Sequence, residues 1–219
     1  MCLGKKKMNY TVGQSRDLFP IKIYEADFPN FESIQESIQT AIMPYFENPA
    51  GGNEYVSADG SPMIIRTGND LHKDSAFKEI VEFIEFHGRE YWKQCQYTQR
   101  VDPYILQMWA NDIPPGGFTP AHNHNPSPVA GSFYINATPD KGNLYLEDPL
   151  EMIHGKTPRD YMHKPYLYTE TITVKPGKLV IFPGWLRHHT RSNMTQENRY
   201  VLGYNIGAWL NFTPKPTGQ

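Results

Sequence analysis

Three histidines in this sequence have a spacing that matters. In Gly116-Gly117-Phe118-Thr119-Pro120-Ala121-His122-Asn123-His124, two imidazoles stand at i and i+2, and residues so placed share a face of an extended chain. Two side chains in that relation can chelate one metal ion. A third histidine comes from Pro176-Gly177-Lys178-Leu179-Val180-Ile181-Phe182-Pro183-Gly184-Trp185-Leu186-Arg187-His188, where glycine opens a strand and a Pro-Gly turn closes it. It lies 64 residues beyond His124, so only tertiary structure can join them. His189 competes with His188 for this position, and the two point to opposite faces of an extended segment. Neutral imidazole suits Fe, Ni, Cu, Mn or Zn, and ligand type alone does not choose among them. A lone histidine is more often a solvated or hydrogen-bonded structural residue than a ligand. Here the His-x-His and the later Pro-Gly-x5-Pro-x4-His fall in one strand-rich region, and the combination points to a metal site.

Arg199 is the next candidate. It opens a run in which Tyr200, Leu202, Tyr204 and Ile206 share one face, and Arg199, Val201, Gly203, Asn205 and Gly207 share the other. One face is apolar and packs against something; the other opens on space. An arginine directed into that space needs an anion, because an unpaired buried charge costs several kcal/mol. A co-substrate carboxylate would satisfy it bidentately. The alternative is an ion pair with Glu147 or Asp148.

These residues need elements to hold them. From Phe31 to Tyr45, Ile34, Ile38, Ile42 and Tyr45 recur at three- and four-residue steps after Asn30, which can cap a helix. Residues 46–72 are rich in Pro and Gly and read as a long loop with short strands. Between Lys73 and Gln96, Phe77, Ile80, Val81, Ile84, His87, Tyr91 and Trp92 form one face of a stronger helix, opposite Lys78, Glu82, Glu85 and Glu90. Beyond Arg100 the pattern changes to strands: Val101–Asn111, Gly131–Asn136, Asn143–Glu147, Tyr166–Val174, Lys178–Phe182 and Arg199–Leu210. The fold class expected is α+β, mainly β: a double-stranded β-helix, or jelly roll, with N-terminal helices packed on one sheet. A single domain over 1–219 is expected, with 18–100 as helical support and 101–210 as the core carrying the site.

Composition narrows the function. Lys and Arg number 21 against 23 Asp and Glu, a formal net charge of −2, so no basic field exists to hold nucleic acid or an anionic membrane. No run approaches the roughly 18 apolar residues of a membrane helix, and no apolar signal region follows Lys5, Lys6 and Lys7. Cys2 and Cys95 allow one disulfide at most and form no secreted framework. A soluble, cytoplasmic protein is expected. Homodimerisation through the helical half is open to the chain, but no motif specifies it.

In order along the chain, His122-x-His124, Gly131-Ser132-Phe133-Tyr134, Gly142-Asn143-Leu144-Tyr145-Leu146-Glu147-Asp148-Pro149, Phe182-Pro183-x-Trp185-Leu186-x-His188, and Arg199 with Tyr204-Asn205 resemble the 2-oxoglutarate/Fe(II)-dependent oxygenase superfamily. Within it the chain is similar to a family of bacteria and their phages that also begins with a segment like Leu18-Phe19-Pro20. The resemblance runs from about residue 18 to 210. It implies a jelly-roll core in which Fe(II) is held by His122, His124 and His188, with Arg199 gripping the distal carboxylate of 2-oxoglutarate and Tyr134 helping to hold it. It selects His188 over His189. Two positions depart from the superfamily pattern: His124 stands where Asp or Glu is usual, and Val201 where Ser is common. A three-histidine set leaves the metal one negative charge short and raises its reduction potential. His124 is thus either a true ligand or a group beside an open position.

The chemistry implied is decarboxylation of 2-oxoglutarate coupled to oxidation of a substrate by dioxygen, the substrate being a small molecule or a protein side chain. Met108, Trp109, Phe118, Tyr134 and Trp185 either line or support the pocket or serve in packing alone, and the irregular segment Glu151 to Tyr168, with His154 and His163, is expected to face the substrate. Two other readings compete. A cupin-type three-histidine dioxygenase not using 2-oxoglutarate fits Gly116-x5-His122-x-His124 and Gly177-x5-Pro183-x4-His188, but the cupin glutamate is absent and Arg199 has no task. A non-catalytic jelly-roll binding module would need no metal.

Overall fold

The strand Arg199–Gly207 is buried at every position, which a strand achieves only with neighbours at both edges and layers on both faces. The computed structural model describes residues 14, 20–47, 52–56, 60, 62–150 and 169–208. Along the chain these form β1 (Tyr24–Asp27), α1 (Gln35–Glu47), β2 (Asn53–Val56), β3 (Pro62–Arg66) and α2 (Lys78–Gln94). There follow β4 (Tyr104–Ile113), β5 (Val129–Tyr134), β6 (Leu144–Glu147), β7 (Thr169–Ile172), β8 (Lys178–Pro183), β9 (His188–Thr190) and β10 (Arg199–Gly207). The larger sheet has the order β1-β8-β5-β10-β4-β3-β2, and the smaller one β7-β6-β9. All strand pairings between these elements are antiparallel. This is the double-stranded β-helix that the strand pattern predicts.

The alternation of β10 separates two apolar layers. Tyr200, Leu202, Tyr204 and Ile206 pack with Ile38 and Ile42 of α1 and with Ile80, Ile84, Tyr91 and Trp92 of α2. Both helices therefore cover the outer face of the larger sheet, and each isoleucine so buried contributes on the order of 1.5–3 kcal/mol. On the inner face, Val201 joins Ala130, Tyr134, Leu144, Leu146, Val180 and Phe182 between the two sheets.

Several expectations need correction. Asn30 takes a left-handed conformation with no side-chain cap bond; the chain passes through a 3-10 turn at Phe31–Ser33, and α1 starts later. The stronger helix likewise begins at Lys78 rather than Lys73, after two 3-10 turns. The Asp74 carboxylate, accepting from the Ala76 N–H, caps the second of those turns. The short strands expected within 46–72 are β2 and β3 of the larger sheet, whereas β1 at its other edge is a strand that the sequence pattern does not reveal. Four residues alternating Tyr24 and Ala26 inward with Glu25 and Asp27 outward are too few to stand out. Cys2, Leu18, Phe19, residues 151–168 with His154 and His163, and the end of the last predicted strand lie outside the described residues.

Candidate metal centre

His122 and His188 meet as a two-residue bridge: each backbone N–H donates to the other's carbonyl, at 3.0 and 2.9 Å. Thr119 and Thr190 extend the contact, the Thr190 N–H donating to the Thr119 carbonyl at 3.1 Å. The His-x-His segment is thus an added strand beside β9. Period-2 alternation then turns His122 and His124 to one side, next to His188. The His124 N–H donates to the Gly184 carbonyl at 2.7 Å, so the Pro183-Gly184 turn fixes the second histidine as well as delivering the third.

All three side chains are held by Nδ1. His122 Nδ1 lies 2.8 Å from the Pro120 carbonyl and His188 Nδ1 2.9 Å from the Leu186 carbonyl. A backbone carbonyl only accepts, so both Nδ1 atoms carry the proton. His124 Nδ1 is 2.9 Å from Asn205 Oδ1, while the Asn205 amide donates to Gln107 Oε1 at 3.0 Å. In each ring the lone pair is therefore left on Nε2, and the potential ligand atoms lie within 4.8 Å of one another. His124 Nε2 and His188 Nε2 are 3.2 Å apart. Two bare lone pairs repel at that distance. A hydrogen bond between them would cost one ring its Nδ1 donor bond, whereas a shared metal needs both as they stand. Two nitrogens each about 2.1 Å from one ion fall at about this separation. The donor set fits a metal ion.

The electrostatics agree. Burial, followed by repulsion from His122, pulls His188 down to about 3 and His124 to about 4, and burial also lowers His122. The imidazoles are neutral near pH 7, the form that binds metal. His189 faces away: its Nδ1 is 3.1 Å from Glu147 Oε1, and its ring stacks on Tyr145 at 5.3 Å.

The triad opens on a cavity of about 370 Å³ whose wall includes Ile113, Ser132, Tyr134, Leu144, Val201 and Arg199. Arg199 is fully buried. Its Nη1 donates to the Lys141 and Gly142 carbonyls, both at 2.6 Å, and Nη2 to Thr190 Oγ1 at 2.8 Å. Nε has no acceptor. Desolvation lowers the guanidinium to about 10 against the support of Tyr134, so the charge sits in a low-dielectric site, and among the described residues no carboxylate pairs with it. The ion pair with Glu147 is not formed. That carboxylate is taken by Arg187 at 2.8 Å and by His189. Tyr134 is buried beside Arg199 and the Ser132 side chain, and burial raises its hydroxyl to about 12 despite both.

Of the aromatic residues expected at the pocket, Trp109 and Tyr134 line it. Met108 turns the other way into the helix-side core, as adjacent strand residues must. Phe118 and Trp185 are exposed and lie outside the lining. Trp109 sits over Gly203, where a Cβ would come within 2.6 Å of the indole, and its ring stacks on His124 at 5.6 Å. Arg66, Asn111 and Thr190 also line the cavity, and the sequence pattern does not single them out. Arg66 lies in a short strand flanked by turn residues, with no periodic signal to give it a direction.

Residues 107–205 match the family model described as "Putative 2OG-Fe(II) oxygenase". No protein of curated function matches the sequence. Among solved structures, the non-heme alpha ketoglutarate dependent carbocyclase SnoK from nogalamycin biosynthesis superposes with a TM-score of 0.63 at 11% identity, covering 85% of this chain and 79% of that one. HygX from Streptomyces hygroscopicus, with nickel, 2-oxoglutarate and hygromycin B bound, gives 0.55 at 12% identity over 85% and 83%. A Pseudomonas putida prolyl-4-hydroxylase gives 0.55 at 15% identity over 84% and 92%. At these identities the likeness is one of fold. Among the described residues no helix is long and apolar enough to cross a membrane.

Proposed function

We infer that this chain is a 2-oxoglutarate- and Fe(II)-dependent oxygenase, of the family whose model its residues 107–205 match. The observation that carries the reading is the convergence of three Nε2 lone pairs, each fixed by an Nδ1 hydrogen bond, in the cavity that also holds the buried charge of Arg199. Fe(II) with 2-oxoglutarate supplies, when bound, the oxidative decarboxylation to succinate and carbon dioxide that drives oxidation of a substrate by dioxygen.

The chain's own residues do the positioning. His122, His124 and His188 would hold the metal, leaving positions open for co-substrate and dioxygen. The Pro120 and Leu186 carbonyls and Asn205 hold the rings in the ligating tautomer. Arg199 receives the distal carboxylate of 2-oxoglutarate, and the Tyr134 hydroxyl, kept protonated by burial, is a neutral donor to the same group. Ile113, Leu144 and Val201 provide the apolar wall that limits water. The substrate is a small molecule or a protein side chain that enters from the open side.

The test is anaerobic titration of the metal-free protein with Fe(II) and then 2-oxoglutarate, followed by the weak visible charge-transfer band of the chelate. The band is expected. Iron binding without it would favour a cupin-type dioxygenase, and no metal binding a non-catalytic jelly roll.

A further inference from the structure

Metal and 2-oxoglutarate, placed as the oxygenase reading has them, occupy the floor of the cavity and leave one wall without a task; the role of that wall rests on the same reading. β3 sets Arg66 on the sheet face that carries Ile64, Trp109 and Asn111, and all four line the cavity. The guanidinium carbon lies 4.3 Å over the centre of the Trp109 ring. Nη2 donates to Asn69 Oδ1 at 2.6 Å, and the Tyr55 hydroxyl is a further neighbour. Every one of these partners is neutral. Arg66 is half-buried, and among the described residues no Asp or Glu lines the cavity at all.

The described lining of the cavity is therefore short of negative charge. The histidines are neutral, and the metal ligand position where a carboxylate is usual in the superfamily carries His124. A divalent metal and a 2-oxoglutarate dianion cancel one another, so the described lining of the loaded cavity keeps the charge of two guanidiniums. A concave, partly dry site of that kind concentrates anions. Arg199 is turned to the floor and spoken for by the co-substrate; Arg66 is on the wall beside the ring that stacks on His124. Its carbon is held over the Trp109 ring and its Nη2 on Asn69, and the N–H groups of a guanidinium form a planar fork suited to a carboxylate.

We propose that Arg66 is a substrate-recognition residue and that the substrate is an organic acid, its carboxylate seated on the Arg66–Trp109 wall and the carbon to be oxidised facing the three histidines. The acid is either a free small molecule or the side chain of an acidic residue.

The experiment uses the full chain loaded with Ni(II) and 2-oxoglutarate, and measures by ligand-observed NMR the binding of three matched pairs: phenylacetate and phenylacetamide, indole-3-acetate and its amide, hexanoate and hexanamide. At least one acid is expected to bind roughly tenfold or more tightly than its amide, a charge-assisted preference. Arg66→Gln should bring acid and amide to the same affinity, and Arg66→Lys should keep much of the preference. A purely structural role in bracing Trp109 would weaken acid and amide alike. An acetylated, amidated pentapeptide with a central glutamate distinguishes the sources: it should bind more tightly than all three acids if the carboxylate belongs to a protein, and more weakly if it belongs to a metabolite. Equal binding of acids and amides, or no binding by any acid or by the peptide, would overturn the proposal. So would a loss of 2-oxoglutarate affinity in Arg66→Gln like that expected for Arg199→Ala. The oxygenase reading fails separately, by absence of the Fe(II)–2-oxoglutarate band in the wild type, and the probe pairs can then be run on the chain without additions.

Discussion

His124 Nε2 and His188 Nε2 face each other at 3.2 Å, and neither has a proton to offer, because both Nδ1 atoms donate to oxygen. Residues 64 apart in sequence have been brought lone pair to lone pair. This is an arrangement that apolar packing alone would not hold and that a cation stabilises directly.

Removal of a ligand should therefore abolish metal binding while its neighbour is dispensable. His188→Ala is expected to weaken Ni(II) or anaerobic Fe(II) binding by at least about 100-fold. His189→Ala, whose ring stacks on Tyr145, should leave affinity within about twofold. Calorimetric titration of the two variants checks this; equal losses would reassign the third ligand.

The amide of Asn205 acts one step away from the metal. It fixes the tautomer of His124 through the Oδ1 acceptor, so Asn205→Leu should lower metal affinity by roughly 10-fold to 100-fold. Asn205→Asp keeps an acceptor and should retain most of it. Equal affinity in wild type and Asn205→Leu, measured by competition with a chromophoric chelator, would show that the hydrogen bond does not matter.

Arg199→Ala should keep the metal and weaken 2-oxoglutarate by about 2–5 kcal/mol, the range for a severed buried charge pair. The variant also leaves the Lys141 and Gly142 carbonyls without their donor, at about 1–3 kcal/mol of stability. Arg199→Lys keeps a donor and a charge, and separates the two effects. Unchanged co-substrate affinity in both variants, read from the charge-transfer band, would remove Arg199 from the site.

Acid should destabilise the metal-free protein. The folded-state values of His188, about 3, and His124, about 4, lie below the ordinary 6.5 because both rings are buried. Below pH 6.5 the unfolded chain gains protons that the folded chain refuses, so stability is fullest above that pH and falls as pH drops toward 4. Each ring contributes up to about 1.4 kcal/mol per pH unit in that window. Urea midpoints of the metal-free protein at pH 7, 6 and 5 should decline, and the decline should be shallower in His188→Gln. A flat profile would contradict the burial of neutral imidazoles.

Much of this molecule was legible in its sequence. The two faces of Arg199–Gly207 were readable because a strand's alternation is a local property. The helices on Ile38, Ile42, Ile80 and Ile84 were readable for the same reason at period 3.6. Their starts were not, since Asn30 adopts a left-handed conformation and the chain reaches each helix through 3-10 turns. Trp109 and Met108 could not be told apart as pocket and core, because an apolar pair reveals its alternation but not which side the cavity occupies. β1 was invisible, being held at the sheet edge by β8 rather than by its own propensity.

For the site, the sequence by itself determined the chemical types and local directions: a His-x-His pair on one face, a histidine after a Pro-Gly turn, an arginine on the open side of the last strand. The resemblance to a family singled out His188; the tertiary structure turned its ring to the triad and that of His189 to Glu147, placed Arg199 on backbone carbonyls instead of Glu147, and brought Arg66 to the cavity wall. The physical reason is one of range. Backbone periodicity acts over a few residues and is written into each segment, whereas the meeting of Nε2 atoms, or of a guanidinium with an indole, depends on the register of strands tens of residues apart. That register is set by the packing of the whole sandwich.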